Sequence, residues 1–183
     1  MPAIADAKVL IVATDGFEQS ELIQPRTQLS EAGAAVHVAA PKDGAIRGWD
    51  GGDWGEEVSV DLSVEAANAD DYDALVLPGG QINPDKLRTE RAVLDLIARF
   101  DEQGKPIAAI CHAPWLLIEA GLAGEGRTLT SYESIRTDVR NAGATWVDQE
   151  VVRDGNLITS RNPGDLDAFV AVVREAVEAS AER

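Results

Sequence analysis

The chain has one cysteine, Cys111, a residue suited to nucleophilic chemistry, and His112 follows it directly. An apolar run precedes Cys111 and a helical pattern follows it, which predicts a strand, a sharp turn with the cysteine at the bend, and a helix. The free amides and positive end of such a helix favour a thiolate, the nucleophilic form of cysteine. The alternative is a buried structural cysteine, because free cysteine is among the most buried residue types.

Two further groups follow buried strands and could act with this cysteine. The turn Pro78-Gly79-Gly80 offers the amides of Gly79 and Gly80, which could stabilise an oxyanion together with the amide of His112. Glu18 could hydrogen-bond the sulfur, favouring the thiolate if the carboxyl is protonated and repelling it if ionised. An acid in the first turn of a helix is also common for electrostatic reasons alone. Both interpretations of Glu18 therefore stay open.

The sequence predicts neither a metal nor a cofactor. One cysteine and two histidines, His37 and His112, are not clustered as zinc ligands would be. No phosphate-binding or dinucleotide-binding glycine pattern is present. A papain-like or amidotransferase-like triad needs a histidine far downstream of the cysteine, and no histidine follows His112. This absence argues against glutamine amide hydrolysis.

Length and charge restrict the class of protein. The 183 residues suit one domain, predicted to span residues 1–183 with its core at about 8–178. The net charge of −16 argues against nucleic acid or an anionic membrane as a direct partner. A single cysteine excludes an intrachain disulfide, and the sequence contains no signal peptide pattern or long apolar run. These features predict a cytoplasmic protein.

Apolar runs alternate with helical patterns along the chain, which predicts an α/β fold. The predicted buried strands are Lys8–Thr14, Val36–Ala40, Asp73–Leu77 and Ile107–Ile110. The predicted helices are Glu18–Ala32, Asp85–Gln103, Ser134–Asn141 and a last helix that Asn162 caps, from Pro163 to about Ala179. The glycine-rich stretch 45–63 predicts a small antiparallel excursion, and Asp154-Gly155 predicts a hairpin between strands 146–152 and 157–160. The architecture is a doubly wound sandwich with a mostly parallel sheet, helices on both faces, and ligands at the carboxyl ends of the strands.

Six segments, taken in order, resemble one known family. They read VLIVATDGFEQSEL, DALVLPGG, GKPIAAICHAPWLLIEAG, TSYESIRTDVRNAGATWVD, VVRDGNLITSRNP and DLDAFV. They are similar to the PfpI-type intracellular peptidase family, within the superfamily of the Parkinson-linked protein deglycase and its class I glutamine-amidotransferase-like fold. The similarity runs from about Lys8 to about Val177 and implies a flavodoxin-like sandwich.

The resemblance also implies roles for particular residues. Cys111 would be the nucleophile, His112 its neighbouring base and Glu18 the carboxyl that contacts the sulfur, with an oxyanion site from the Gly80 and His112 amides. In the peptidase branch, an acid from a neighbouring subunit completes a Cys-His-acid triad. The matching position here is Asp85, an aspartate where that branch has glutamate. A homodimer or a hexamer is therefore expected.

The function that the resemblance favours is a cysteine-dependent stress-response enzyme. It would hydrolyse glyoxal or methylglyoxal adducts on proteins, or convert the small dicarbonyls themselves to hydroxy acids. One alternative is an intracellular cysteine peptidase, and another is a redox-sensing chaperone in which Cys111 is oxidised reversibly without turnover.

Overall fold

A computed structural model of the protein describes residues 4–180 and shows an α/β architecture. The strands are β1 Lys8–Val12, β2 Phe17–Glu18, β3 Ala35–Ala40, β4 Ala45–Asp50, β5 Asp53–Ser59, β6 Leu62–Ser63, β7 Ala74–Leu77, β8 Ile107–Ile110, β9 Thr128–Leu129, β10 Thr145–Trp146, β11 Val151–Asp154 and β12 Leu157–Ser160. The helices are α1 Gln19–Glu31, α2 Ile82–Leu87, α3 Arg91–Glu102, α4 Pro114–Glu119, α5 Arg136–Asn141 and α6 Leu166–Ser180. Single 3-10 turns lie at Ile4–Asp6, Val64–Ala66, Ala69–Asp71, Glu133–Ile135 and Pro163–Asp165.

A seven-stranded sheet forms the centre of the molecule, in the order β11-β12-β8-β7-β1-β3-β6. All neighbours are parallel except β11 and β12, which form the predicted antiparallel hairpin. Successive side chains of a strand point to opposite faces, so β1 contributes to two cores. Val9 and Ile11 pack with residues of α1 and α6, and Leu10 and Val12 pack with residues of α3 and α4. The predicted sandwich, with helices on both faces, is confirmed.

The glycine-rich stretch forms the predicted excursion. Strands β4 and β5 pair antiparallel, with a register shift between Arg47 and Trp49, and β2 adds a short parallel partner to β4. Gly51 and Gly52 at the tip both have positive φ, at 64° and 131°, a conformation that side chains other than glycine rarely adopt. This hairpin lies beside the carboxyl end of β1.

Two predicted elements differ in the structure. The helix predicted from Asp85 to Gln103 is two helices, α2 and α3. The hydroxyl of Thr89 donates to the carbonyl of Lys86 between them, a local bond that competes with continued helix. The strand predicted over 146–152 is also two elements. Strand β10 pairs with β9, and the hairpin strand β11 begins only at Val151.

Candidate active site

The predicted turn at Cys111 is present between β8 and α4. Its φ of 65° is the only positive φ of a non-glycine residue within residues 4–180. Backbone bonds hold the turn on two sides: the Cys111 N–H donates to the Ser160 carbonyl at 3.0 Å, and the Cys111 carbonyl accepts from the Tyr132 N–H at 2.8 Å. A left-handed conformation costs a β-carbon residue about 1–2 kcal/mol, so the surrounding contacts must maintain it.

The carboxyl that neighbours the sulfur is Glu21, one helical turn after Glu18. Glu21 has no exposed surface, interacts with the Cys111 thiol, and accepts a hydrogen bond from the Gly79 N–H at 2.8 Å through Oε2. Its other oxygen, Oε1, receives no hydrogen bond from the described N–H and O–H groups. The contact that the sequence assigned to Glu18 is therefore made by Glu21. The assignment of the Gly79 amide to an oxyanion is also corrected, because that amide is occupied by Glu21.

Burial raises the pKa of Glu21 to about 8, and the charge of Glu18 adds to this, while the Gly79 amide and the Cys111 thiol oppose it. Glu21 is therefore mostly protonated at neutral pH. A protonated Glu21 carboxyl is a potential hydrogen-bond donor to the thiol with which it interacts, and such a donor favours a thiolate.

The Cys111 thiol is itself buried, at 5% exposure. Burial first, then the charge of Glu21, raises the pKa of the thiol above its ordinary range, whereas the Gly80 and His112 amides lower it. The predicted lowering by a helix end is outweighed, because α4 has only six residues and the thiol is desolvated. Two adjacent anions are costly, so Cys111 and Glu21 titrate as a coupled pair, which loses its second proton only at a higher pH than its first.

His112 faces the sulfur although it is the next residue in the chain. The left-handed turn at Cys111 brings His112 Nδ1 within 3.2 Å of Sγ, and Nε2 lies 3.3 Å from Ser134 Oγ. Tyr132 stacks on the imidazole at 4.7 Å between ring centroids, and Trp115 contacts it edge-on at 5.2 Å. Burial lowers the pKa of His112. The imidazole is therefore neutral at neutral pH and can accept a proton.

The Pro78-Gly79-Gly80 turn is held by a buried side chain that the sequence analysis did not single out. Asn83 accepts from the Thr14 N–H at 2.8 Å and donates to the Pro78 and Gly79 carbonyls at 2.9 and 3.2 Å. These bonds tie the ends of β1 and β7 together. A β-carbon on Gly79 would lie 2.6 Å from the Cys111 Cβ, so glycine is required for this close approach.

Asp85 lies outside the Cys111 cavity of its own chain. Its carboxylate is 60% exposed and pairs with Arg88 at 3.0 Å, on a face that it shares with Trp115. The Arg88 guanidinium in turn lies 4.6 Å from the centre of the Trp115 ring, which also contacts His112. Within one chain, Asp85 therefore does not meet Cys111 and His112.

A cavity of about 570 Å³ opens above the sulfur. Cys111, His112 and Glu21 line its inner part. Other residues that line it include Glu18, Trp49, Gly80, Tyr132, Ser134 and Pro163. Such a cavity holds a small ligand or one side chain of a larger one.

Residues 4–180 contain no group of three or more His, Cys, Asp or Glu side chains arranged to hold a metal ion. In the same part of the chain, no helix has the length and apolar character of a transmembrane span.

Comparisons with known proteins agree with this fold. The family model described as DJ-1/PfpI matches residues 7–176. Deglycase TK1284 of Thermococcus kodakarensis is 47% identical over 163 residues, which cover 89% of this chain and 95% of the relative. The putative cysteine protease YraA of Bacillus subtilis is 40% identical over 165 residues, with 88% and 93% covered. The crystal structure of Drosophila melanogaster DJ-1beta superposes with a TM-score of 0.83 at 33% identity, covering 96% of each chain.

Proposed function

The chain belongs to the DJ-1/PfpI family, and from that premise we propose that it is a cysteine-dependent hydrolase of glyoxal and methylglyoxal adducts. The observation that carries the proposal is the buried cluster of Cys111, Glu21 and His112 at the base of a small cavity. The names of relatives such as Deglycase TK1284 support the same reaction class. Glycated proteins and the free dicarbonyls are the proposed substrates.

The first step is attack by sulfur. The Cys111 proton passes to His112 Nδ1, 3.2 Å away, and Sγ forms a bond to the aldehyde-level carbon of the adduct. The amine leaves with a proton from the imidazolium, and the product is a hemithioacetal. The Gly80 and His112 amides, which point toward the sulfur, are the proposed donors to the substrate oxygen. A free dicarbonyl gives the same hemithioacetal, with its carbonyl oxygen protonated instead of an amine released.

The second step moves hydrogen within the bound substrate. His112 removes the proton from the sulfur-bearing carbon, and a proton is added at the neighbouring carbonyl carbon. The hydroxyl proton of the sulfur-bearing carbon moves to the oxygen of that carbonyl. One carbon is oxidised to a thioester while the other is reduced to an alcohol, so no external oxidant or reductant is consumed. Water then cleaves the thioester to a hydroxy acid and restores the Cys111 thiol. Glu21, protonated at neutral pH, is the proposed donor to the sulfur when it is ionised, before the attack and as the thioester is cleaved.

The central experiment compares wild type and Cys111→Ser on methylglyoxal, a methylglyoxal-modified thiol and a casein substrate, with chelator present. The proposal expects hydroxy acid from the first two substrates with wild type and none with the variant. If peptide cleavage depends on Cys111 and the dicarbonyl substrates are not turned over, the proposed function is replaced by that of a cysteine peptidase. Reversible oxidation of Cys111 with no turnover of any substrate would instead favour a redox-sensing chaperone.

The peptidase alternative keeps a role for Asp85, supported by the name of YraA and by the position of this residue on an exposed face. Since Asp85 and Cys111 of one chain do not meet, the acid would have to orient His112 of a second copy. A homodimer or hexamer is therefore part of the proposal. A base held by a third group is how such nucleophiles are usually oriented.

Mixing inactive variants tests this role. Asp85→Ala and Cys111→Ala are expected to lose activity yet fold. In their mixed oligomers, about a quarter of the sites combine Cys111 from one chain with Asp85 from the other, by random assortment. Recovery toward that fraction supports action across an interface. A fully active Asp85→Ala protein, or no recovery in mixed oligomers seen by native mass spectrometry, removes that role.

The predictions of location, nucleic-acid binding and domain extent are also part of the proposal. A cytoplasmic location and the absence of direct nucleic-acid binding are proposed from composition and charge. One domain over residues 1–183 is proposed because the family match spans residues 7–176. Residues 1–3 and 181–183 of that domain lie outside the described part of the chain.

A further inference from the structure

Glu18 lines the Cys111 cavity, but the mechanism above gives it no step. Its N–H donates to the Gly79 carbonyl at 3.2 Å, which fixes its backbone at the rim of the site. Its neighbour Phe17 is fully buried, while Glu18 is only half-buried and borders the cavity. The carboxyl is thus available to a ligand that occupies the space above the sulfur.

No lysine or arginine among residues 4–180 forms an ion pair with Glu18, and none lines the cavity. Two basic side chains pair with other carboxylates: Lys42 with Asp15 at 2.7 Å, and Arg88 with Asp85 at 3.0 Å. Burial and the charge of Asp50 raise the pKa of Glu18, and a hydrogen bond from Ser20 lowers it. The lining of the cavity therefore includes acidic side chains and no lysine or arginine.

Aromatic side chains line the same cavity. Trp49 comes from the β4–β5 hairpin, and Tyr132 lies over His112. A planar guanidinium is weakly hydrated, stacks on aromatic faces and pairs with a carboxylate through two parallel hydrogen bonds. An ammonium is more strongly hydrated and has no planar face. The combination of Glu18 with Trp49 and Tyr132 therefore suits a guanidinium better than an ammonium or a neutral group.

We propose that Glu18 is a specificity-determining residue, which binds the guanidinium of a glycated arginine side chain while its dicarbonyl adduct reaches Cys111. This inference rests on the proposed function, since it names the substrate class of the same site. It also gives a reason for a glutamate at position 18 that does not involve the sulfur.

The kinetic test compares methylglyoxal adducts of N-acetyl-arginine amide with those of N-acetyl-cysteine amide. The blocked termini carry no charge, so only the arginine adduct offers a cation to Glu18. In Glu18→Gln, kcat/KM for the arginine adduct, divided by kcat/KM for the cysteine adduct, should fall about tenfold, because one charge-assisted hydrogen bond is lost. Glu133→Gln is the matched control. It removes the same charge from a side chain that is 79% exposed and pairs with Arg136, and it should keep the wild-type ratio.

A binding test separates this inference from the proposed function. Cys111→Ser cannot turn over substrate, yet it should bind unmodified N-acetyl-arginine amide saturably. Adding Glu18→Gln should weaken that binding about tenfold, and added salt should weaken it only where Glu18 is present. If turnover fails but this binding holds, the guanidinium site stands and the proposed reaction falls. No saturable binding, or an equal kinetic loss for both adducts, overturns the role of Glu18.

Discussion

Replacing Glu21 tests the hydrogen bond on which ionisation of Cys111 is argued to depend. In Glu21→Gln, the amide oxygen can accept from the Gly79 N–H and the amide nitrogen can donate to the sulfur, the two roles proposed for the protonated carboxyl. Glu21→Leu has a similar volume but offers neither group. Both variants remove the carboxylate charge. The comparison between them therefore isolates the hydrogen-bonding contribution from the Coulombic one.

The expected difference follows from the burial of this pair. A hydrogen bond to a charged group contributes about 1.5–3 kcal/mol, and one pKa unit corresponds to about 1.36 kcal/mol. Glu21 is fully buried and Cys111 is 5% exposed, so water does not replace the missing donor. The thiol of Glu21→Leu should therefore ionise about one to two pH units above that of Glu21→Gln.

Thiolate ultraviolet absorbance measures both midpoints, and Cys111 is the only cysteine, so a Cys111→Ser blank isolates the signal. The rate of alkylation by iodoacetamide as a function of pH is an independent readout. Equal midpoints in the two variants, or a lower midpoint in Glu21→Leu, would refute the view that Glu21 donates to the sulfur.

Three further predictions concern the groups around this pair. Glu21 has its pKa raised from 4.5 to about 8 in the folded protein, so the unfolded chain holds fewer protons between these values and stability falls as pH rises. Glu21→Gln has no titrating group at this position, so its stability should not fall in this way. Its free energy of unfolding in urea, relative to that of wild type, should rise by up to about 5 kcal/mol from pH 4.5 to 8. A difference between the two proteins that does not change with pH would contradict the raised pKa of Glu21. Gly79→Ala should destabilise by about 1–3 kcal/mol in the same assay through its 2.6 Å clash, whereas Gly124→Ala, with open space around it, should not. Asn83→Ala leaves the buried Thr14 N–H unpaired and should cost about 1–3 kcal/mol in thermal unfolding, and an unchanged Tm would mean that water replaces the amide.

Much of the fold and the position of the nucleophile could be predicted from the sequence. The buried strands are continuous apolar runs, and glycine turns follow β7 and precede β8, so the carboxyl edge that carries Cys111 was identifiable. The hairpin at Asp154-Gly155 had an equally local signal. These features depend on neighbouring residues in the chain, which is why the pattern sufficed.

The choice between two glutamates could not be made locally. Phe17 and Glu18 pair with Gly48 and Trp49 of β4, and this contact ends the extended segment just before α1. Glu18 then belongs to the strand and Glu21 to the buried face of the helix. One signal was present, since Glu21 lies beside Leu22 and four residues before Pro25, on the face that packs inward. The break between α2 and α3 likewise depends on a turn whose side-chain bond was not foreseen.

The left-handed backbone at Cys111 has a consequence for protein engineering. Glycine adopts this conformation without a steric penalty, so Cys111→Gly would relieve about 1–2 kcal/mol of backbone strain. That relief opposes the cavity left by the lost side chain and abolishes the nucleophile. A library selected for thermal tolerance alone can therefore retain glycine at the one position where chemistry requires sulfur. Thermostabilised descendants of this chain need an activity screen at every round, because here robustness and catalysis favour different residues.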